Sequence, residues 1–290
     1  MKFAVVAHRR SETNDALAGT AASLGMPASV LSPRDALCTL QQGDVALGRL
    51  DVRETLDGME DGETHLERLA DAGVEVLNPA AALAAAHDKL LTARVLRRAG
   101  VPHPRTWHIA EGAPTPAPEL PLVLKPRFGS WGRDVILCRT ADELAAAITS
   151  IAHRPWFREH GVLAQELVEP FGWDLRVVVA GGRVVGSARR VAAKGEWRTN
   201  VALGGRSEPA AAPPLARKLA LEAARAVRGD LVGVDLLPTA AAYVVAEVNG
   251  AVDFRASYGL GFGLDDPYLD AVLSLLRVAR GRLATRSVSA

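Results

Sequence analysis

Leu231-Val-Gly-Val-Asp-Leu-Leu237 and, after a short turn, Tyr243-Val-Val-Ala-Glu-Val-Asn249 decide the fold. Both are apolar runs of strand length, and each is interrupted by oxygen-bearing side chains. Side chains alternate faces along a strand, so Glu247 and Asn249 share one side, and the turn brings Asp235 opposite or diagonal to them. Two carboxylates on a largely buried sheet are costly unless a cation compensates them. Two carboxylates and a carboxamide suit Mg²⁺, which takes one or two protein carboxylates and fills its shell with water and phosphate oxygens. The competing reading is a pair of ordinary edge charges.

Upstream, Leu122 to Lys125 and Val135 to Leu137 read as two strands. The segment joining them carries Arg127, Gly129, Ser130, Trp131, Gly132 and Arg133. Its glycines let backbone amides approach a phosphate closely, but it has no Walker pattern, and taken alone it reads equally well as a surface hairpin. Thr140-Ala-Asp-Glu143 is a capping box that opens a helix through Ile151. Further strands follow at Val162 to Glu166, Asp174 to Ala180 and Arg183 to Arg190, with Gly181-Gly182 forming a tight hairpin turn. Pro213-Pro214 opens a helix from Leu215 to Val227. Asp266-Pro267 caps a last helix carrying Leu269, Val272, Leu275 and Leu276. At the other end, a strand at 3–7, a helix from Asn14 to Leu24 and a short run at Ala28 to Leu31 form a βαβ beginning without a Gly-x-Gly-x-x-Gly turn. Asn78-Pro79 reads as a helix cap, and a boundary falls near 80.

Lys plus Arg (34) nearly cancels Asp plus Glu (33), so no global field draws the chain to nucleic acid or an anionic membrane. Cys38 and Cys138 lack neighbours at ligand spacing, which argues against a metal site or disulfide framework and suits a reducing cytoplasm. The first apolar run is too short for a signal segment or a membrane span. There is no His-Glu-x-x-His, and Ser130 lacks the flanks of a hydrolase elbow. Gly259 to Gly263 reads as a substrate-side loop, because no apolar strand precedes it. Trp131, Trp173 and Trp197 suit packing over a nucleotide and ordinary core anchoring equally.

Lys89, Lys125, Gln165-Glu166, Asp174-Leu-Arg176, Arg198-Thr-Asn200, Asp235 and Glu247-Val-Asn249 occur in an order that resembles the ATP-grasp superfamily, specifically its RimK-type and LysX-type amine ligases. The resemblance spans about residues 78 to 280. It implies an α/β chain, α+β in the ATP-grasp part. An open N-terminal α/β domain (1–80) is followed by a small central lid domain (81–160), a C-terminal antiparallel-sheet domain (161–283) and a flexible tail (284–290). It also implies ATP and Mg²⁺ as cofactors, with two ions and Mn²⁺ as a substitute. Lys89 and Lys125 would hold phosphates, with Gly129, Ser130, Trp131, Gly132 and Arg133 as the lid. Gln165, Glu166 and Leu167 would form the adenine hinge, and Asp174 would reach the ribose. Arg176 and Arg198, with Asn200, would bind phosphate or the reacting carboxylate. Asp235, Glu247 and Asn249 would coordinate the metal.

On the substrate side, Gly250-Ala-Val-Asp-Phe-Arg255 follows the metal asparagine where RimK-type glutamate ligases carry a small residue, Pro and Gly. This looks more like LysX-type enzymes, which join an amino acid such as aminoadipate or glutamate to the C-terminal Glu of a small acidic carrier protein. By that likeness the substrate residues are Arg190, Lys194, Gly250, Phe254, Arg255 and Ser257. A basic cluster of Arg189, Arg190, Lys194 and Arg206 would receive the acidic partner or a dicarboxylate amino acid, and reads equally well as a solvated strand edge beside the ATP site. The likeness also implies a homodimer or homotetramer. A RimK-like ligase acting on a small metabolite or peptide tail is the alternative, and a catalytically inactive ATP-binding regulator is a third reading.

Overall fold

The computed structural model describes residues 1–112, 119–259 and 266–289, with the side chains described through residue 286. The first part is a parallel sheet in the order β2-β1-β3-β4, built from β1 (Phe3–Val6), β2 (Ala28–Leu31), β3 (Val45–Gly48) and β4 (Glu75–Leu77). Its helices are α1 (Glu12–Ser23), α2 (Pro33–Thr39) and α3 (Glu63–Asp71). Ser11 caps α1 by accepting a hydrogen bond from the Asn14 amide, which starts the helix earlier than its apolar pattern alone suggests. β1 and β3 are buried on both faces, as a parallel strand between helices requires.

Between this sheet and the next lie α4 (Ala80–His87) and α5 (Lys89–Arg98). The single helix expected from Asn78 onward is broken at Asp88, whose carboxylate caps α5 at Leu90 and Leu91. Asn78 itself is no cap. It adopts a positive φ of 49° and bonds Asp230, Leu231 and Gly250, fastening the first part to the last. The tertiary hydrogen bonds outcompete the local one because all of these groups are buried.

The second, antiparallel sheet has the order β5-β8-β6-β7, with β5 (Thr106–Ile109), β6 (Leu122–Pro126), β7 (Ile136–Cys138) and β8 (Val162–Glu166). α6 (Ala141–Ile151) and α7 (Pro155–His160) pack on it. β5 was not evident in the sequence, and β8 joins this sheet although the expected boundary at 160 assigned it to the C-terminal part. The third sheet, β11-β10-β9-β12-β13, comprises β9 (Trp173–Ala180), β10 (Arg183–Val191), β11 (Arg206–Pro209), β12 (Leu231–Pro238) and β13 (Tyr243–Asn249). α8 (Pro214–Ala226) covers one face, while α9 (Pro267–Ser289) reaches the first sheet's core as well. α9 continues through residues 284–289, expected to be a flexible tail; no proline or glycine follows Gly281, so nothing in the sequence stops the helix. Most of the Gly259–Gly263 loop lies outside the described residues.

Candidate active site

β9, β12 and β13 place Arg176, Asp235 and Glu247 in one cross-strand row. Arg176 donates to both oxygens of Asp235, at 2.8 and 2.9 Å. Two residues from Arg176 on the same face is Asp174, which receives two bonds from Arg190 of β10 and one from Thr199. Arg190 also lies 2.9 Å from Asp235. Burial alone would raise the Asp235 pKa, but Arg176 and Arg190 outweigh it and hold the carboxyl below the usual carboxylate range. The Asn249 side-chain amide donates to Asp235 at 3.3 Å. The predicted oxygen cluster is thus assembled, with its negative charge compensated by protein cations. Two carboxylates and a carboxamide fit a hard divalent cation that takes its remaining ligands from phosphate and water. No group of three or more His, Cys, Asp or Glu residues that could hold a metal ion is found among the described residues, so a cation here would have two carboxylates at most.

The two lysines meet this row from the other side. Lys89, the first residue of α5, lies 2.8 Å from Glu247 and donates to the Gly129 carbonyl of the glycine loop. Lys125 near the end of β6 donates to Gln165 of β8 at 2.6 Å. Burial pushes Lys125 down to about 8 against the opposing attraction of Glu247. A cation in that condition is poised to take a polyanion, which would restore its charged form.

The glycine loop is tied down by Arg198, which donates to the Gly132 and Val135 carbonyls and is gripped by Glu196. The Arg198 hydrogen bond holds the Glu196 carboxyl at about 2. Gly132 has a φ of 71°, and a Cβ there would sit 2.7 Å from the Asn200 Oδ1 atom. Trp131 and Asp134 also adopt positive φ, so the loop is a tightly specified bend.

Two cavities open on these residues. The first is lined by Lys89, Lys125, the loop, Gln165 to Asp174, Trp197 and Arg198. The second lies toward the N-terminal sheet and is lined by Arg49, Asp51, His87, Arg176, Asn249 and Asp253 among others. Ser130, Trp131, Arg190, Asn200, Asp235 and Glu247 border both.

Every predicted phosphate, hinge and lid residue lines the first cavity, while Arg176, Asn249 and shared Asn200 face the second. Several contacts differ from those the resemblance implies. The Asp174 oxygens are engaged by Arg190 and Thr199, and the Glu166 carboxylate receives Arg105. Among the substrate residues, Arg190 is a buried member of the charge row. Phe254 belongs to the core beside Tyr268, and its carbonyl accepts from Thr13 and Tyr268. Gly250 lies against His87, with a Cβ there reaching 2.9 Å from Nε2. Lys194, Arg255 and Ser257 are exposed, and none lines either cavity. The basic cluster is taken apart: Arg189 and Arg206 both pair with Glu208, and Arg190 is buried with Asp174. The residues missing from the sequence reading are Arg49 and His87. They lie just after β3 and at the end of α4, where no motif flags them.

A RimK-like ATP-grasp domain model matches residues 86–270, and the chain belongs to that family. A probable alpha-L-glutamate ligase of Thioalkalivibrio sulfidiphilus is 34% identical over 196 residues, 66% of this chain and 64% of that protein. One of Parasynechococcus marenigrum is 33% identical over 187 residues, covering 62% of this chain and 39% of the relative. The matched part therefore spans less than two thirds of the length of these curated relatives. The crystal structure of a RimK domain ATP-grasp protein from Sphaerobacter thermophilus superposes with a TM-score of 0.66 at 25% identity, covering 94% of this chain and 100% of that one. The fold is the ATP-grasp fold. No helix among the described residues is long and apolar enough to cross a membrane.

Proposed function

We propose that this chain is an ATP- and Mg²⁺-dependent ligase that joins a carboxylate to the amine of an amino acid through an acyl phosphate. The observation that carries this reading is the pair of cavities sharing one charged border at Asp235, Glu247, Arg190 and Asn200. A triphosphate held from one side then meets its acceptor from the other. Lys89 and Lys125 hold phosphate oxygens in the first cavity. Arg176, at the border of the second, orients the carboxylate that attacks the γ-phosphate. ADP leaves, the amine attacks the acyl carbonyl, and inorganic phosphate departs as the amide forms. Mg²⁺, when held by Asp235, Glu247 and Asn249, neutralises charge on the transferring phosphoryl group. The loop from Gly129 to Arg133 keeps water from the acyl phosphate, which water would otherwise hydrolyse.

Relatives named as glutamate ligases support glutamate as the amino acid. Pairing of Arg189 and Arg206 with Glu208 weakens the case for a small acidic carrier protein, so a metabolite or peptide carboxylate is the favoured acceptor. The test is ADP release from Mg-ATP across the amino acids, with and without a small carrier protein ending in Glu, followed by product mass. Turnover with glutamate and a small carboxylate supports the reading. Carrier-dependent turnover restores the LysX-like route with aminoadipate or glutamate, and ATP binding without any turnover leaves a regulator.

A further inference from the structure

The second cavity, of about 340 Å³, holds three buried polar atoms without partners: Arg49 Nη1, His87 Nε2 and, on the border shared with the first cavity, Ser130 Oγ. Such orphans cost stability, and in a ligand-binding cavity they mark groups that a ligand satisfies. Arg49 is 3% exposed and His87 5%. The Arg49 guanidinium is fixed on its other edges: Nε donates to Asn14 at 2.5 Å, and Nη2 donates to the Ala251 carbonyl and to Asp253. Burial depresses its pKa despite the nearby Asp253 and Asp51, so the cation is under-compensated. The neighbouring cations are already satisfied, Arg9 by Glu54 and Glu60 and Arg10 by Asp15.

His87 is complementary to it. Its ring is hydrogen-bonded to the Leu50 backbone, next in the chain to Arg49. With Nε2 unpartnered, that bond uses Nδ1 as donor and leaves Nε2 as an acceptor. Burial lowers its pKa, which keeps the ring neutral, and Asp51, Lys89 and Glu247 act on it from around the cavity. Gly250 packs against the ring where any side chain would displace it, so the position is held from both sides.

We infer that Arg49 and His87 form the recognition subsite for the amine-bearing substrate, Arg49 donating to the carboxylate of an α-amino acid and His87 accepting from its ammonium. This rests on the ligase reading and adds to it which residues select an amino acid over a simple amine. A free donor and a free acceptor, buried in one cavity that borders Glu247, match the two ends of that zwitterion. Asp51 and Glu60, also on the wall, add negative charge to the cavity.

The experiment is a thermal-shift screen of the twenty common amino acids and 2-aminoadipate, with Mg²⁺ and a non-hydrolysable ATP analogue present. Calorimetry then compares the best binder with its α-amide and its decarboxylated amine. The intact protein should bind the acid at least tenfold more tightly than either analogue. Arg49→Gln should weaken the acid to the level of the amide while leaving the amide's own affinity unchanged, and His87→Phe should weaken all amine-bearing ligands at least fivefold. Nucleotide affinity should hold in both variants. If Arg49→Gln does not fold, the acid-to-amide comparison in the unmodified protein and the His87→Phe result still decide the matter. No amino-acid binder, equal affinity for acid and amide, or unchanged discrimination in Arg49→Gln overturns the inference. Should ADP-forming ligation persist in that case, only the subsite assignment fails. Loss of nucleotide binding in the unmodified protein would instead remove the ligase reading.

Discussion

The two cavities differ in how their polar groups are satisfied, and the difference separates what is already balanced from what waits for a ligand. On the nucleotide side, charges are paired within the protein: Lys125 with Gln165, Lys89 with Glu247, Arg198 with Glu196, Asp174 with Arg190. On the N-terminal side, Arg49 and His87 each keep one buried atom free, and Ser130 Oγ is free on the border that the two cavities share. A self-paired site is stable without its ligand and exchanges partners when a polyanion and its cation arrive together. An orphaned site pays a standing desolvation cost that ligand binding relieves.

The comparison can be broken most severely at the shared border. Glu247→Ala removes one of two carboxylates available to a divalent cation. ADP release should fall by about a thousandfold or more, as lost charge neutralisation at a phosphoryl centre implies, with a melting temperature near that of the parent. Chelation of divalent cations should stop the parent protein equally. Retained turnover in the variant would remove Glu247 from the metal site.

Lys125→Met tests the nucleotide side alone. Losing a charged hydrogen bond of about 1.5–3 kcal/mol should raise the ATP dissociation constant roughly ten- to a hundredfold, without loss of thermal stability. The sign follows from its pKa, about 8 in the folded chain against an ordinary 10.5. Between those values the unfolded chain binds more protons, so the buried cation penalises folding below pH 8 and the penalty fades as pH rises. ATP, which favours the charged form, should bind progressively more weakly above pH 8, by at most tenfold per unit. A flat affinity from pH 7 to 10 would contradict this account of Lys125.

Gly132→Ala forces a side chain into a left-handed bend against Asn200 and should cost about 1–3 kcal/mol of local strain, seen as a lowered kcat for ADP release with little change in ATP affinity. The smallest effect is expected at Glu196→Gln. Its pair with Arg198 is partly exposed, and Arg198 keeps its bonds to the loop carbonyls, so activity should change by roughly threefold or less.

The pattern of legibility follows the same division. Strand periodicity was enough to put Glu247 and Asn249 on one face with Asp235 opposite or diagonal to them, and the register sets Asp235 opposite Glu247. Lys89, Lys125 and the glycine loop were legible through their order along the chain. Arg49 and His87 were not, since each is a lone residue whose meaning comes from Asn14, Leu50, Asp253 and Gly250, contributed by distant elements. Asn78 was read as a helix cap because the residue type fits that role locally, whereas its partners lie more than a hundred residues away. Phe254 was assigned to substrate by the LysX-type likeness of the segment after Asn249, yet its side chain packs in the core beside Tyr268. Proximity in sequence to a site is weaker information than the face on which a residue lies.

The central claim is that a carboxylate is activated where the two cavities meet. The measurement that tests it most directly uses a carboxylate substrate that supports ADP release, labelled with ¹⁸O in the carboxyl group, with Mg-ATP and L-glutamate. Mass analysis then follows both the released phosphate and the amide. The account predicts one ¹⁸O atom transferred to phosphate for each amide formed. Unlabelled phosphate accompanying ADP release would show that water attacks the triphosphate and that the shared border does not activate a carboxylate.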